Sequence, residues 1–261
     1  MLIVKSYLLQ TSNACLELEL YGEVGHSVVL LPGAGGGIRG FREIGNELSN
    51  FGYKVAAMNY RGAGESTGVL NPLTMHDLAG DVAAVIEYLG VPALVLGWAF
   101  GNRVARCTAS DFPDLVEKLI LVCLVCAGGQ VEPDPKVYQR LWQSYDRSLT
   151  DEVRKSAVQE TLFAPGNEVP EWFFDSRSKE AADASRLALQ STPPIEWQPG
   201  GDKPMLVIQG AYDKVAVPEN AEILRRNWPD RVKVEIVENA GHAVLIERPR
   251  EVAEIIKKYL S

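Results

Sequence analysis

Leu94-Val-Leu-Gly97-Trp98-Ala99-Phe100-Gly101-Asn-Arg-Val-Ala decides the fold. An apolar run of strand character passes straight into a helix through Gly-x-Ala-x-Gly. A turn this tight strains the backbone of its central residue, and glycines flank it because side chains there would strike neighbouring strands. The turn lifts one residue, Ala99, to the end of a sheet.

On both sides of that turn, short apolar runs alternate with amphipathic helices, the pattern of a parallel sheet covered on both faces. Two short alternating runs open the chain, the second being Leu16-Glu-Leu-Glu-Leu-Tyr, as in a half-buried antiparallel strand. Ser27–Leu31, Tyr53–Asn59, Ala93–Gly97, Leu119–Cys126, Met205–Gln209 and Val232–Val237 read as further strands, giving eight in all. Helices are expected over Gly40–Asn50, Thr74–Leu89, Gly101–Ser110, Pro218–Asn227 and Pro249–Leu260. Thr74 and Asp77 fit a capping box, with Asp in place of the usual Glu.

From about residue 130 to 199 the rhythm breaks. Val137–Trp142 and Asp151–Val158 look helical, prolines at 165, 170, 193, 194 and 199 punctuate the stretch, and no strand is visible. The expected organisation is a core in two parts, 1–129 and 200–261, with a helical cap over 130–199.

The bulk numbers narrow the function. Of 261 residues, 46% are hydrophobic and 23% charged, as in ordinary globular proteins. The formal net charge of −8 has the wrong sign for a phosphate backbone, which argues against nucleic acid as a partner. The first ten residues lack a signal-peptide core, and no uninterrupted apolar run is long enough to span a bilayer. A cytoplasmic protein without a membrane partner is expected. Cys123 and Cys126 form a CxxC, but strand residues three apart point to opposite faces and no second pair completes a zinc site. They read as small buried hydrophobes.

Four more segments complete a constellation. Gly210-Ala-Tyr-Asp213 follows a strand and precedes Pro218, and Asn239-Ala-Gly241-His242 follows the last strand, with Glu247 and Pro249 beyond. Leu31-Pro-Gly-Ala34-Gly follows the third strand, and Asn59-Tyr-Arg61-Gly-Ala-Gly64-Glu-Ser66 the fourth. Together with the Gly97–Gly101 turn, and in this order, they resemble the α/β-hydrolase family over almost the whole chain. The turn is similar to that family's nucleophile elbow, which normally holds serine, and the family's order is nucleophile, acid, histidine.

The resemblance implies an α/β-hydrolase fold with a mostly parallel eight-stranded sheet and a helical cap. It places Ala99 at the nucleophile position, Asp213 as the acid and His242 as the base. It also implies an oxyanion hole from the N–H groups of Ala34 and Phe100. Neither cofactor nor metal is implied. His26 and His76 fall outside the motifs and take no catalytic role. Trp98, Trp142, Trp172 and Phe173 are candidate pocket residues, with Tyr145, Phe174 and Trp197 as further cap aromatics. They suit a small, largely apolar ester, lactone or carbonyl compound as substrate.

A methyl group attacks nothing, so serine-hydrolase turnover is not expected; loss of the nucleophile elsewhere costs about a millionfold. The alanine is either an introduced replacement for serine or the encoded residue. If encoded, His242 backed by Asp213 can activate water or abstract a substrate proton directly. A ligand-binding protein or sensor on the same fold is the second reading. A third takes Gly35-x-Gly37-x-x-Gly40 as a dinucleotide fingerprint with Arg61 on a 2′-phosphate, an NADP-binding oxidoreductase. It leaves the other motifs unexplained. Nothing in the pattern speaks to oligomeric state.

Overall fold

The computed structural model describes residues 5–90, 92–125, 131–173 and 178–260. One sheet holds nine strands: β1 (Lys5–Gln10), β2 (Ala14–Tyr21), β3 (Ser27–Leu31), β4 (Lys54–Met58), β5 (Thr67–Gly68), β6 (Ala93–Trp98), β7 (Val116–Val122), β8 (Met205–Gly210) and β9 (Val232–Val237). Eight of them lie in the order β1-β2-β4-β3-β6-β7-β8-β9, and the two-residue β5 pairs with β2. These eight are the runs read from the sequence; β5 is an addition, too short to carry a periodicity. β1, β2 and β4 pair antiparallel, and every pairing from β4 through β3 to β9 is parallel.

Periodicity and burial agree. The central strands β3, β6 and β8 are buried along their full length, as strands covered on both faces must be. One face packs against α2 (Met75–Leu89), α3 (Phe100–Asp111) and α8 (Glu219–Asn227), and the other against α1 (Arg42–Asn50) and the C-terminal helix α10 (Pro249–Leu260). The start of α2 is fixed by a capping box. Thr74 Oγ1 accepts the Asp77 N–H at 3.1 Å, and the Thr74 N–H donates to Asp77 Oδ2 at 2.8 Å. The shorter Asp suffices.

β7 differs from its expected Leu119–Cys126. It begins at Val116 and ends at Val122, because Cys123 takes a left-handed φ of 55° and turns the chain out of the sheet. Cys123 is still fully buried, while Cys126 lies outside the described residues.

Between β7 and β8 stand four helices, α4 (Pro135–Gln143), α5 (Asp151–Leu162), α6 (Lys179–Ser191) and α7 (Pro194–Trp197); no strand occurs there among the described residues. A four-residue helix, α9 (Val244–Glu247), precedes α10. Backbone and side-chain hydrogen bonds tie the helical segment between β7 and β8 to the sheet's C-terminal end. Ser178 N–H donates to Gly35 O at 2.9 Å, Ala243 N–H to Leu162 O at 2.8 Å, and Met75 N–H to Thr192 Oγ1 at 3.0 Å.

The turn after β4 is held by buried polar groups. Arg61 makes a bidentate pair with Asp81 of α2, at 2.7 and 2.8 Å, with both side chains about 95% or more buried. Asn59 accepts the Ile38 N–H at 2.9 Å and donates to Glu17 at 2.7 Å. An amide does both jobs. An Asp there would set two carboxylates against each other and leave the Ile38 N–H with a charged rather than an amide acceptor.

Candidate active site

The elbow is built from close backbone approaches. Ala99 sits at φ 52°, ψ −109°, and its N–H donates to Val122 O at 2.9 Å. A Cβ on Gly97 would stand 2.2 Å from Gly101 O, and one on Gly101 would stand 2.2 Å from Leu31 O. Neither position admits any other residue, so the glycines of the motif are a packing requirement. Phe100 is the first residue of α3, so its N–H has no acceptor within the helix.

Ala34 stands in a turn closed by the Gly36 N–H to Gly33 O bond at 2.9 Å. A Cβ on Gly33 would lie 3.5 Å from the Ala99 methyl, which puts this loop directly beside the elbow. The cap presses on it from the other side. Tyr145 Oη donates to Ala34 O at 2.9 Å, and Gly35, at φ 67°, leaves no room for a Cβ beneath Ser178 O.

Asp213 follows β8 and is buried. Its Oδ1 accepts the N–H groups of Val215 and Ala216, both at 2.8 Å, and Gln209 Nε2 approaches Oδ2 at 3.3 Å. The carboxylate faces His242 Nδ1 at 2.9 Å through Oδ2. His242 follows β9 in a loop clamped at several points. Trp98 Nε1 donates to His242 O at 2.8 Å, and Gly241 N–H donates to Glu247 Oε2 at 2.7 Å. Glu247 also accepts the Ala164 N–H at 2.7 Å, joining the histidine loop to the cap. Because a carboxylate only accepts, Nδ1 carries the proton and Nε2 is left as the basic nitrogen.

His242 and Ala99 line one cavity of ≈ 250 Å³ under the cap. The predicted oxyanion and pocket residues line it too, Ala34, Phe100, Trp98, Trp142, Trp172 and Phe173, whereas Asp213 is buried behind His242 and does not. Tyr145 joins them. Trp197 does not; it is a core residue, 1% exposed, stacked on the Arg106 guanidinium at 5.0 Å. Phe174 lies outside the described residues. Sequence reasoning missed Arg103 and Arg186, which also reach the cavity. For Arg103 a signal existed: it stands four residues after Ala99, hence on the same face of α3.

Among the described residues, two groups of side chains bring metal-type donors within 4.8 Å of one another: His76 and Asp111 at the surface with the buried Cys107, and Cys123, Asp213 and His242 in the interior. In the second, the donors are committed to each other and to backbone amides. Burial, and then the charge of Asp213, push the Cys123 thiol well above its ordinary range. It is a fully buried thiol that donates to His242 O at 3.2 Å.

Comparison with known proteins agrees with this architecture. The alpha/beta hydrolase family profile matches residues 28–255. The poly(3-hydroxyalkanoate) depolymerase of Ectopseudomonas oleovorans is 26% identical over 79% of this chain and 75% of its own. Monoacylglycerol lipase ABHD6 of Rattus norvegicus is 27% identical over 65% of this chain, but the match spans only 55% of the lipase. Among solved structures, the 2-hydroxy-6-oxo-6-phenylhexa-2,4-dienoate hydrolase of Rhodococcus sp. strain RHA1 superposes with a TM-score of 0.79 at 17% identity, covering 100% of this chain and 99% of that one. That likeness is one of fold.

Proposed function

This chain belongs to the alpha/beta hydrolase family, and we propose that it hydrolyses small, largely apolar esters or lactones by activating water with His242 rather than through a covalent serine intermediate. The observation that carries the reading is the buried Asp213–His242 bond of 2.9 Å beside a cavity whose elbow residue is a methyl group. The relatives' names, a depolymerase and a lipase, support the reaction class.

In the proposed reaction, a water between His242 Nε2 and the substrate gives its proton to the imidazole as its oxygen attacks the carbonyl carbon. The carbonyl oxygen takes up the electron pair as an oxyanion, which the N–H groups of Ala34 and Phe100 stabilise. Collapse of the tetrahedral species re-forms the carbonyl and expels the alkoxide, which takes the proton back from Nε2. Asp213 holds Nδ1–H throughout and stabilises the transient imidazolium. Every proton is accounted for, and no bond forms to the protein. The alternative, a non-catalytic binding protein on the same scaffold, has no use for a buried carboxylate–imidazole pair.

Intact-mass spectrometry during turnover of a short activated ester tests the proposal. Product should accumulate while the protein keeps its unmodified mass, and Ala99→Ser should gain the mass of one acyl group. An acyl adduct on the unsubstituted chain, or no product above the uncatalysed rate, would overturn it.

A further inference from the structure

The cavity's charges are lopsided. In a chain of net charge −8, the charged side chains lining this cavity are Arg103 and Arg186, and no carboxylate lines it among the described residues. The rest of the lining is apolar or aromatic, apart from small backbone-rich turns, Ser185 and the His242 imidazole. An acidic protein has placed cations in a mostly apolar cavity.

Arg103 is the more informative of the two. Its Nε is fully buried and has no hydrogen-bond partner, and among the described residues no carboxylate lies within ion-pair distance of its guanidinium. Arg103 as a whole is partly buried, and the two fully buried arginines among the described residues are satisfied. Arg61 is locked bidentate to Asp81, and Arg106 donates to the carbonyls of Asn102, Gln198 and Val125. A buried N–H left without an acceptor is destabilising, and a methionine at that place would cost nothing of the kind. With Nε enclosed by protein, the Nη atoms of this arginine, one helical turn beyond the elbow, carry the charge to the cavity and have no partner among the described residues, so they are the donors a ligand can meet. Arg186, on the cap, already lies 3.8 Å from Asp183 and is half exposed, so it adds field more than geometry.

We infer that Arg103 is a specificity residue that binds a carboxylate on the substrate, so that the preferred ligands are apolar or aromatic compounds carrying one anionic group besides the reacting carbonyl. Guanidinium presents a planar fork matched to carboxylate, and such charge-assisted pairs are about twice as strong as neutral ones. The aromatic walls, Trp98, Trp172 and Phe173 among them, take the apolar body, and the arginine fixes which end enters. The inference rests on the cavity being the substrate site, as proposed above, but not on the chemistry performed there.

Binding can therefore be measured without turnover. Phenylalkanoates from phenylacetate to phenylhexanoate, each paired with its uncharged primary amide, are titrated calorimetrically into the intact protein at neutral pH. The best acid should bind at least about tenfold more tightly than its amide, and that preference should shrink as salt rises. Arg103→Met should abolish the preference while leaving amide affinity unchanged, and Arg103→Lys should recover part of it. His242→Gln should retain it, which separates this inference from the hydrolytic one. If no acid outbinds its amide, or if the preference survives Arg103→Met or vanishes with Arg186→Met alone, the inference is wrong. If Arg103→Met fails to fold, Arg103→Lys and Arg186→Met still tell the two arginines apart.

Discussion

At Ala99, backbone and side chain carry separate messages. The left-handed φ of 52° and the glycine approaches of 2.2 Å on either side are the expense of lifting a residue into the cavity, and the chain meets that expense for a methyl group. The functional weight then moves to the next side chains. Asp213 sets the tautomer of His242, and its own environment makes a sharp forecast. In Asp213→Asn the amide oxygen keeps the Val215 and Ala216 N–H groups at the Oδ1 position, so the NH2 group takes the Oδ2 position and faces Nδ1. It would donate there, force the proton onto Nε2 and remove the base. We expect kcat/KM to fall by at least about a hundredfold with little change in fold, read by ester kinetics beside circular dichroism. Retained activity would mean that tautomer control is unimportant here.

At the scale of elements, the sequence was most readable where period and turn chemistry agree. Capping by Thr74 and Asp77, the eight strand runs and the two glycines of the elbow all follow from local rules. The exceptions have local causes that single residues hide. The end of β7 moved because Cys123 adopts a positive φ, which a cysteine in an apolar run does not announce. Trp197 packs into the core and not the pocket because Arg106, seven residues after Ala99, reaches up to stack on it. Among the pocket residues, Arg103 was overlooked because its spacing from Ala99 reads equally well as an exposed helix position.

An element-level junction also titrates. His76 of α2 lies between Asp111 of α3 at 2.7 Å and Glu196 of α7 at 2.8 Å, linking two core helices to the cap. Hydrogen bonds to Asp111 and then to Glu196 raise its pKa above the ordinary value. A raised folded-state pKa stabilises fully below the unfolded value of about 6.5 and is lost as pH rises through the folded value. The Tm difference between the unsubstituted chain and His76→Gln should therefore be largest in mildly acidic buffer and shrink above neutrality. Because the imidazole is 43% exposed, the effect should be modest. A difference that grows with pH would contradict the assignment.

For the whole molecule, one sheet with helices on both faces brings distant segments to a single end. β6, β8 and β9 are parallel and deliver Ala99, Asp213 and His242 to their C-terminal ends, and the cap closes over them. That convergence was legible as motif order. What the cap holds was not, since helical amphipathicity says which face is apolar but not whether it packs on the core or lines a cavity. Arg61, a candidate phosphate ligand in the dinucleotide reading, is instead spent on Asp81, and the glycine turn it would accompany is covered by Ser178.

The direct test is kcat/KM for a short activated ester in the unsubstituted chain and in His242→Ala. Water activation by the imidazole predicts a loss of about two to four orders of magnitude with an unchanged Tm. Equal activity in the two proteins would show that the imidazole is not the base, whatever else the cavity does.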